Sequence, residues 1–339
     1  MTRKDTPETD GSGGAHAFFE QTAEVDAPDM SRRDRAYRSL DLYVLAPFRV
    51  AWSDWRAKVG LSIITFFVLL GTVGTRLVPE PGYNQTDRNV SWFTTWEYPL
   101  GSDHVGRPIG RNLVHSTTPI LEMALAGVLF SVVLAIVIGV VAGYKGGLVD
   151  YVLMTITDIV MIIPGLPLII VLVAIWRPES AFVVGVILSI DSWPSLARML
   201  RSQVLTIRNE EYVEASRAMG VSTRSIVQKD VTPQLMPYIM INASNAAQSV
   251  IFVAVGLYFL GFLEGGAAYN WGVMMQEAYD QGALANFGRI GHFMVAPMVL
   301  ICLFSMGLIL FSQGMDRVFN TKIRARHAKT VSDEDEGPA

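Results

Sequence analysis

Several apolar runs in this chain reach the roughly 20 residues an α-helix needs to cross a bilayer, and they are continuous rather than alternating. That pattern restricts the fold to a bundle of transmembrane helices. A backbone in lipid must satisfy its own hydrogen bonds, and a barrel strand would alternate apolar with polar residues. The runs lie near Val59–Val78, Pro119–Tyr144, Tyr151–Trp176, Ser180–Leu200, Tyr238–Leu263 and His292–Gln313. Asp191, Ser192 and Pro194 interrupt the fourth, so the sequence predicts six spans, or five if that one is discounted. Of the 339 residues 51% are hydrophobic and 17% charged, against about 25% charged in soluble domains.

The charges gather in the tails and a few loops. Residues 1–41 are polar, acidic and Gly/Ser-containing, and they lack the apolar core and cleavage site of a signal peptide. They read as a disordered tail, as do the last residues with their run Ser332-Asp-Glu-Asp-Glu336. Acidic ends of this kind suit a high-salt cytoplasm. Between tail and first span, Leu42, Leu45, Phe48, Trp52 and Trp55 recur at helical spacing with Arg49, Arg56 and Lys58 between them. This is a helix on the cytoplasmic leaflet or one packed on neighbouring protein. With both termini inside, 21 Lys and Arg fall on the cytoplasmic side and six (Arg76, Arg88, Arg107, Arg111, Arg177 and Arg289) on the other, as the positive-inside rule requires. The long outer loop Pro79–Thr118, with Trp92 and Trp96, suits an ordered cap. Cys302, the single cysteine, reads as a small buried apolar residue.

The connector before the fifth span is the most informative polar stretch. Asn209 is a suitable N-cap, Glu210 and Glu211 follow where the helix dipole favours carboxylates, and helical propensity runs through Tyr212–Met219. Gly220 is placed to stop this helix, Ser222 to cap a second short one running through Gln228–Val231, and Pro233 to block further helix before a span starting near Tyr238. The small residues Ala215, Ser216 and Ala218 permit close approach by a partner surface, and Glu214 and Arg217 can fix its register. An ordinary capped helix in a loop has the same chemistry.

The segment Glu-Ala-Ser-x3-Gly-x12-Pro at 214–233 resembles the Glu-Ala-Ala-x3-Gly-x9-Ile-x-Leu-Pro loop in membrane subunits of ATP-binding-cassette importers. Further matches are Pro99-Leu-Gly-Ser-Asp-His-Val-Gly-Arg107, Ala142-Gly-Tyr-Lys-Gly-Gly-Leu-Val-Asp150, Asp158-x5-Pro164, Trp193-Pro-x-x-Ala-Arg198, Leu260-Gly-Phe and Trp271-Gly-Val-Met. Together they cover about residues 43–318 and are similar to the dipeptide, oligopeptide and nickel permease branch, second subunit of the pair. Ser216, Asp230, Thr232, Pro108, Glu122 and Asp191 depart from the usual residues there. The resemblance implies an all-α membrane protein of the type I importer permease fold, with six spans and both termini inside. It also implies a division into a tail (1–41), a surface helix, first span and outer loop (42–110), a permease core (111–318) with a coupling loop at about 201–237, and a second tail (319–339).

The resemblance further implies a mechanism. Glu214, Ala215, Ser216, Arg217, Gly220 and Pro233 would form the contact with a cytoplasmic ATPase, whose closure drives alternating access. The implied partners are a second homologous permease chain, two ATPase subunits that bind ATP and magnesium, and an extracytoplasmic substrate-binding protein, all at a lipid bilayer and without nucleic acid. This chain would bind no cofactor itself. It has no Gly-x4-Gly-Lys-Ser/Thr phosphate loop, and its five histidines show no metal-ligand spacing.

Polar residues inside the spans are costly and point to function or to helix contacts. Asn242, Asn245 and Ser249 share one face of the fifth span, with Gln248 beside them, and read either as a pathway lining or as interhelical hydrogen-bond partners. Asp158 and Pro164 read as structural, with a kink at Pro164/Pro167, and Gly139 and Gly143 as a site of close helix contact. An ion-gradient transporter using Asp158, Asp191 and Glu122 is the alternative function, but it leaves the Glu214 loop unexplained. An intramembrane hydrolase lacks a nucleophile–base pair.

Overall fold

The computed structural model describes residues 54–263 and 269–319. The two tails and most of the surface helix Leu42–Trp55 lie outside them. Helix α1 (Trp55–Leu69) begins at Asp54, whose carboxylate accepts the Arg56 N–H at 2.8 Å. It continues through a π-helical segment, Leu70–Gly74, and a last turn, Thr75–Leu77. The wider turn weakens the regular ladder, and the Gly71 carbonyl is met by the hydroxyls of Thr118 at 2.5 Å and Thr75 at 3.1 Å.

The second helix, α2 (Ile109–Lys145), starts ten residues before the predicted Pro119, which lies inside it. Its first turns are polar in sequence, so hydropathy hides them. Asn112, Ser116 and Thr117 are buried, Ser116 reaching Met274 of α10 (Trp271–Asp280) and Thr117 lying against Gly71, and the Trp271 indole donates to the Leu113 carbonyl at 3.4 Å. The third and fourth predicted spans are both broken. Helices α3 (Gly147–Ile162) and α4 (Gly165–Trp176) meet at 84°, and α5 (Ala181–Leu188) and α6 (Trp193–Ile207) at 59°. Pro164 causes the first bend: it stands in extended conformation as the N-cap of α4, and Pro167 falls in the first turn, where a missing N–H costs nothing. Asp191 and Ser192 occupy the second bend.

After the connector, α9 (Thr232–Phe259) forms the next span, followed by α10, the short α11 (Phe287–Ile290) and α12 (His292–Phe319). Among the described residues four helices are long and apolar enough to cross a membrane, and the total is six when each bent pair counts as one span.

Glycines set the closest crossings. A methyl group on Gly139 would meet the Ala197 carbonyl oxygen at 2.5 Å, and one on Gly143 would meet Val204 Cβ at 2.8 Å, so α2 lies directly on α6. A methyl on Gly127 of α2 would meet the Gly185 oxygen of α5 at 3.0 Å. In the same way α1 lies on α12, where a methyl on Gly60 would meet the Gly307 oxygen at 2.7 Å and one on Gly314 would meet Ala57 Cβ at 2.5 Å. Phe67, Trp271 and Phe304 fill the space beside this crossing, with ring centroids 5.9 and 4.7 Å from Phe67. Cys302, expected to be buried, is exposed on α12, because the buried face of that helix is carried by Ile301, Phe304, Ser305 and Leu308.

Candidate functional site: the connector and the polar groups of the spans

The connector contains α7 (Glu211–Ala218), α8 (Thr223–Ile226) and a second π-helical segment, Val227–Val231, that runs directly into α9. Glu210 rather than Asn209 takes the N-cap position of α7, and no side chain bonds there. Asn209 is instead the end of the turn leaving α6, its N–H bonded to the Thr206 carbonyl at 3.2 Å. The C-terminus is a Schellman turn: Val221 N–H reaches the Ser216 carbonyl at 3.1 Å and Gly220 N–H reaches the Arg217 carbonyl at 3.0 Å. Gly220 has φ +75°, the left-handed conformation that glycine adopts without Cβ strain.

Ser222 caps α8, its hydroxyl accepting the Ser225 N–H at 3.4 Å. Pro233 does not stop the chain as the sequence suggested. It falls in the first turn of α9, where its ring and missing N–H are tolerated, and the wider π turn before it takes up the disturbed ladder. Thr232 donates its hydroxyl to the Val227 carbonyl at 2.7 Å. Helix therefore continues from Thr223 to Phe259, and Pro237 lies within it.

One side chain seats α7. Val213 is fully buried with Ile207, Ile226, Val231 and Leu235, so the last turn of α6 and the first turns of α8 and α9 form a socket beneath it. Tyr212 bonds Gln234, and Arg217 lies over the Tyr144 ring at 5.7 Å. Burial holds the Tyr212 phenol above its ordinary pKa; Gln234 opposes this and the charges of Glu210 and Asp230 add to it. Facing outward are Glu214, Ala215, Ala218, Gly220 and Met219, the last 75% exposed. The result is a shallow surface of small side chains that includes the Glu214 carboxylate and the Met219 thioether.

Above the connector, two ion pairs join α3 to α6. Arg201 holds Asp150 through two bonds of 2.8 and 2.5 Å, and Arg198 pairs with Asp158. Asp158, read from sequence as structural, is thus placed opposite an arginine 40 residues on. The Asp150–Arg201 pair went unnoticed because its partners are 51 residues apart; the matched segment ending at Asp150 was the available signal. Arg208 donates to the Gly143 carbonyl at 2.8 Å and fastens the end of α6 to α2.

On α9, Asn245 and Ser249 are exposed one turn apart, whereas Asn242 and Gln248 are half-buried. The Asn242 amide donates to the Tyr238 carbonyl at 2.8 Å and approaches the Met199 sulfur of α6 at 3.9 Å.

A second polar centre lies at the opposite end of the bundle. Asp103 accepts the N–H groups of Val105 at 3.0 Å and Arg107 at 2.8 Å, and its other oxygen takes Arg107 Nε at 2.5 Å. Arg107 also pairs with Glu277 of α10. Burial disfavours the guanidinium charge, but Glu277 and Asp103 together outweigh it and hold its pKa above the ordinary value. This cluster fastens the outer loop to the bundle, and sequence reasoning missed the part played by Glu277.

Residues 135–325, more than half of the chain, match the family described as binding-protein-dependent transport system inner membrane component. The chain is 26% identical over 300 residues to the dipeptide transport system permease protein DppC of Bacillus subtilis (strain 168), covering 88% of this chain and 89% of that protein. It is 30% identical over 277 residues to the oligopeptide transport system permease protein OppC of Lactococcus lactis subsp. cremoris (strain SK11), covering 80% and 92%. The glutathione transport system permease protein GsiD of Pectobacterium atrosepticum is 27% identical over 290 residues, covering 84% and 94%. A solved structure of the MetNI methionine ABC transporter in an inward-facing conformation aligns with TM-score 0.48 at 21% identity, covering 63% of this chain and 97% of that one. By the extent of the family match and by these relatives, the chain belongs to the inner membrane components of binding-protein-dependent transport systems.

Proposed function

We propose that this chain is one of two homologous permease subunits in an ATP-driven importer of peptides or a closely related small solute. The substrate class is supported by the names of its relatives, which carry dipeptides, oligopeptides and glutathione. The observation that carries the mechanism is α7: a short helix fastened by buried Val213, presenting small side chains outward. Such a surface fits a groove on a second protein, and its socket would transmit push and pull to α6 and α9 without slack. Glu214, Ala215, Ser216, Arg217 and Gly220 make or shape this contact, and Pro233 starts the helix that responds.

ATP and magnesium would be bound by two cytoplasmic ATPase subunits and the substrate delivered by an extracytoplasmic binding protein. Half of the pathway would belong to this chain and half to a second permease. Asn245 and Ser249, with Asn242 and Gln248 beside them, are assigned to the pathway wall on α9. Co-expression with candidate ATPases and a second permease tests the reading: a stable complex whose ATP hydrolysis rises with peptide-loaded binding protein supports it. Uptake driven by an ion gradient, without any ATPase, would overturn it.

A further inference from the structure

Every exposed position of α6 is polar. Ser195, Arg198, Ser202 and Thr206 follow at steps of three, four and four, which place them on one helical face, and Asp191 continues the line at the bend above. The remaining positions are buried or half-buried, with Leu196, Ala197, Leu200 and Val204 packed against α2. At 1.5 Å per residue the four helical positions extend about 16 Å. The exposed face of α2 is the opposite: after Thr118 and Glu122 it is apolar from Leu125 through Leu129 and Val133 to Val137, until Lys145 at the helix end. A face such as that of α2 suits acyl chains, whereas one carrying a charge and three hydroxyls does not.

The neighbours of the α6 stripe are polar too. Asp158 of α3 pairs with Arg198 on one side, their side chains 54% and 50% exposed, and Asn242 of α9 approaches Met199 on the other. A groove of about 380 Å³ between α3 and α6 holds Asp150, Thr155, Asp158, Arg198 and Arg201. The ion pair lies roughly 14–17 Å from the ends of both helices that face the connector, counting from Ile207 and Gly147 at 1.5 Å per residue. At that depth a half-exposed ion pair must face water or protein rather than hydrocarbon.

We infer that the α6 stripe is the wall of the cytoplasmic half of the translocation pathway, and that Arg198 and Asp158 are its charged contact for a solute carrying both a carboxylate and an ammonium group. The wall stands on the exposure pattern alone; the solute class rests on the peptide reading above. Arg198 would take the carboxylate through paired N–H donors and Asp158 the ammonium, each exchanging its present partner for the solute.

The test uses the assembled transporter in inverted membrane vesicles, with Cys302→Ser removing the exposed native thiol. Single cysteines replace Ser195, Ser202 or Thr206 on α6 and Leu125, Leu129 or Val133 on α2. A charged, membrane-impermeant methanethiosulfonate reagent should label the α6 sites at least tenfold faster than the α2 sites, in either the nucleotide-free or the vanadate-trapped state. Failure to label the α6 sites in both states overturns the wall. For the charged contact, uptake of a free dipeptide is compared with that of its N-acetylated, C-amidated form. The ratio should fall several-fold in Asp158→Asn/Arg198→Gln and in the charge-reversed Asp158→Arg/Arg198→Asp, the second keeping an ion pair to hold the fold. An unchanged ratio in both variants removes the charged contact and leaves the wall standing. A wild-type complex that takes up no peptide removes the peptide reading and the solute class with it, while the labelling result is unaffected.

Discussion

The Asp191 carboxylate lies against Gly165, so the break between α5 and α6 is seated in the break between α3 and α4. Both breaks fall about 25 Å from the connector-facing ends of their helices, counted at 1.5 Å per residue. Two bends at one depth and in contact make a natural pivot. Any side chain at position 165 would occupy the space of the carboxylate.

Gly165→Val is therefore expected to reduce peptide uptake at least tenfold in a complex that still assembles. Asp191→Ala in the same chain should restore part of the loss by vacating the space. Uptake by Gly165→Val/Asp191→Ala that is no better than by Gly165→Val alone would show that this contact is not the cause.

At the connector, Glu214→Lys should abolish most of the ATP hydrolysis stimulated by loaded binding protein while leaving membrane insertion intact. Gly220→Asn should be tolerated, because asparagine enters the left-handed region at modest cost, whereas Gly220→Val should cost on the order of 1–2 kcal/mol in the Schellman turn. Nothing lies within 4 Å of a methyl group placed there, so the penalty is one of backbone conformation alone. Equal stimulated hydrolysis in the Asn and Val variants would contradict this account.

Packing predictions follow from the α2–α6 crossing. Gly139→Val and Gly143→Val should each destabilise the subunit by on the order of 1–3 kcal/mol, read as a lower melting midpoint in detergent, because neither helix can yield without moving backbone. Gly256→Ala on α9, where a methyl meets nothing within 4 Å, should leave the midpoint unchanged or slightly higher.

Tyr212 gives the connector an alkaline limit. Its phenol is held above its ordinary value of 10.0, chiefly by burial. The stability it contributes is fully present below that value and is lost as pH rises through the raised one. The melting midpoint of the complex should thus be insensitive to this group at neutral pH and fall beyond 10.0. Tyr212→Phe should show a shallower alkaline decline, with a neutral-pH cost of about 1 kcal/mol from the lost Gln234 bond. Identical alkaline limbs would assign the decline to other groups.

Asn245 and Ser249 should be reached by thiol reagents when replaced by cysteine, and Asn245→Leu should slow transport without weakening assembly. A buried interhelical hydrogen bond is worth only about 0.6 kcal/mol on average, so normal assembly by itself decides little. Full transport with neither cysteine ever labelled would assign both residues to helix packing.

The spans were legible because their apolar runs are long and uninterrupted, and Pro164 announced its own bend. The start of α2 was not legible: Asn112, Ser116 and Thr117 look solvent-exposed in sequence and are buried only once α10 and the segment after α1 pack on them in three dimensions. Pro233 misled because a proline's effect depends on whether it lies within a helix or in its first turn, and the preceding π turn decides that. In the connector, Gly220 and Ser222 act through neighbouring backbone groups and could be read directly. Arg201 with Asp150 and Arg107 with Glu277 could not, since each joins helices or loops far apart in the chain. The α6 stripe was present in the spacing of Ser195, Arg198, Ser202 and Thr206, but hydropathy averaged over the span concealed it.

The crossing of α1 over α12 also bears on how the subunit is made. Gly60 meets Gly307, Ala57 meets Gly314, and Arg56 donates to Gln313 at 3.1 Å across 257 residues. Helix α1 leaves the ribosome long before α12 and therefore waits in the bilayer until α12 has been synthesised. Until then its glycine-lined face has only lipid or an insertion chaperone to cover it. Chains that stop short of α12 would keep that face uncovered, giving membrane proteases a means of distinguishing unfinished subunits from finished ones.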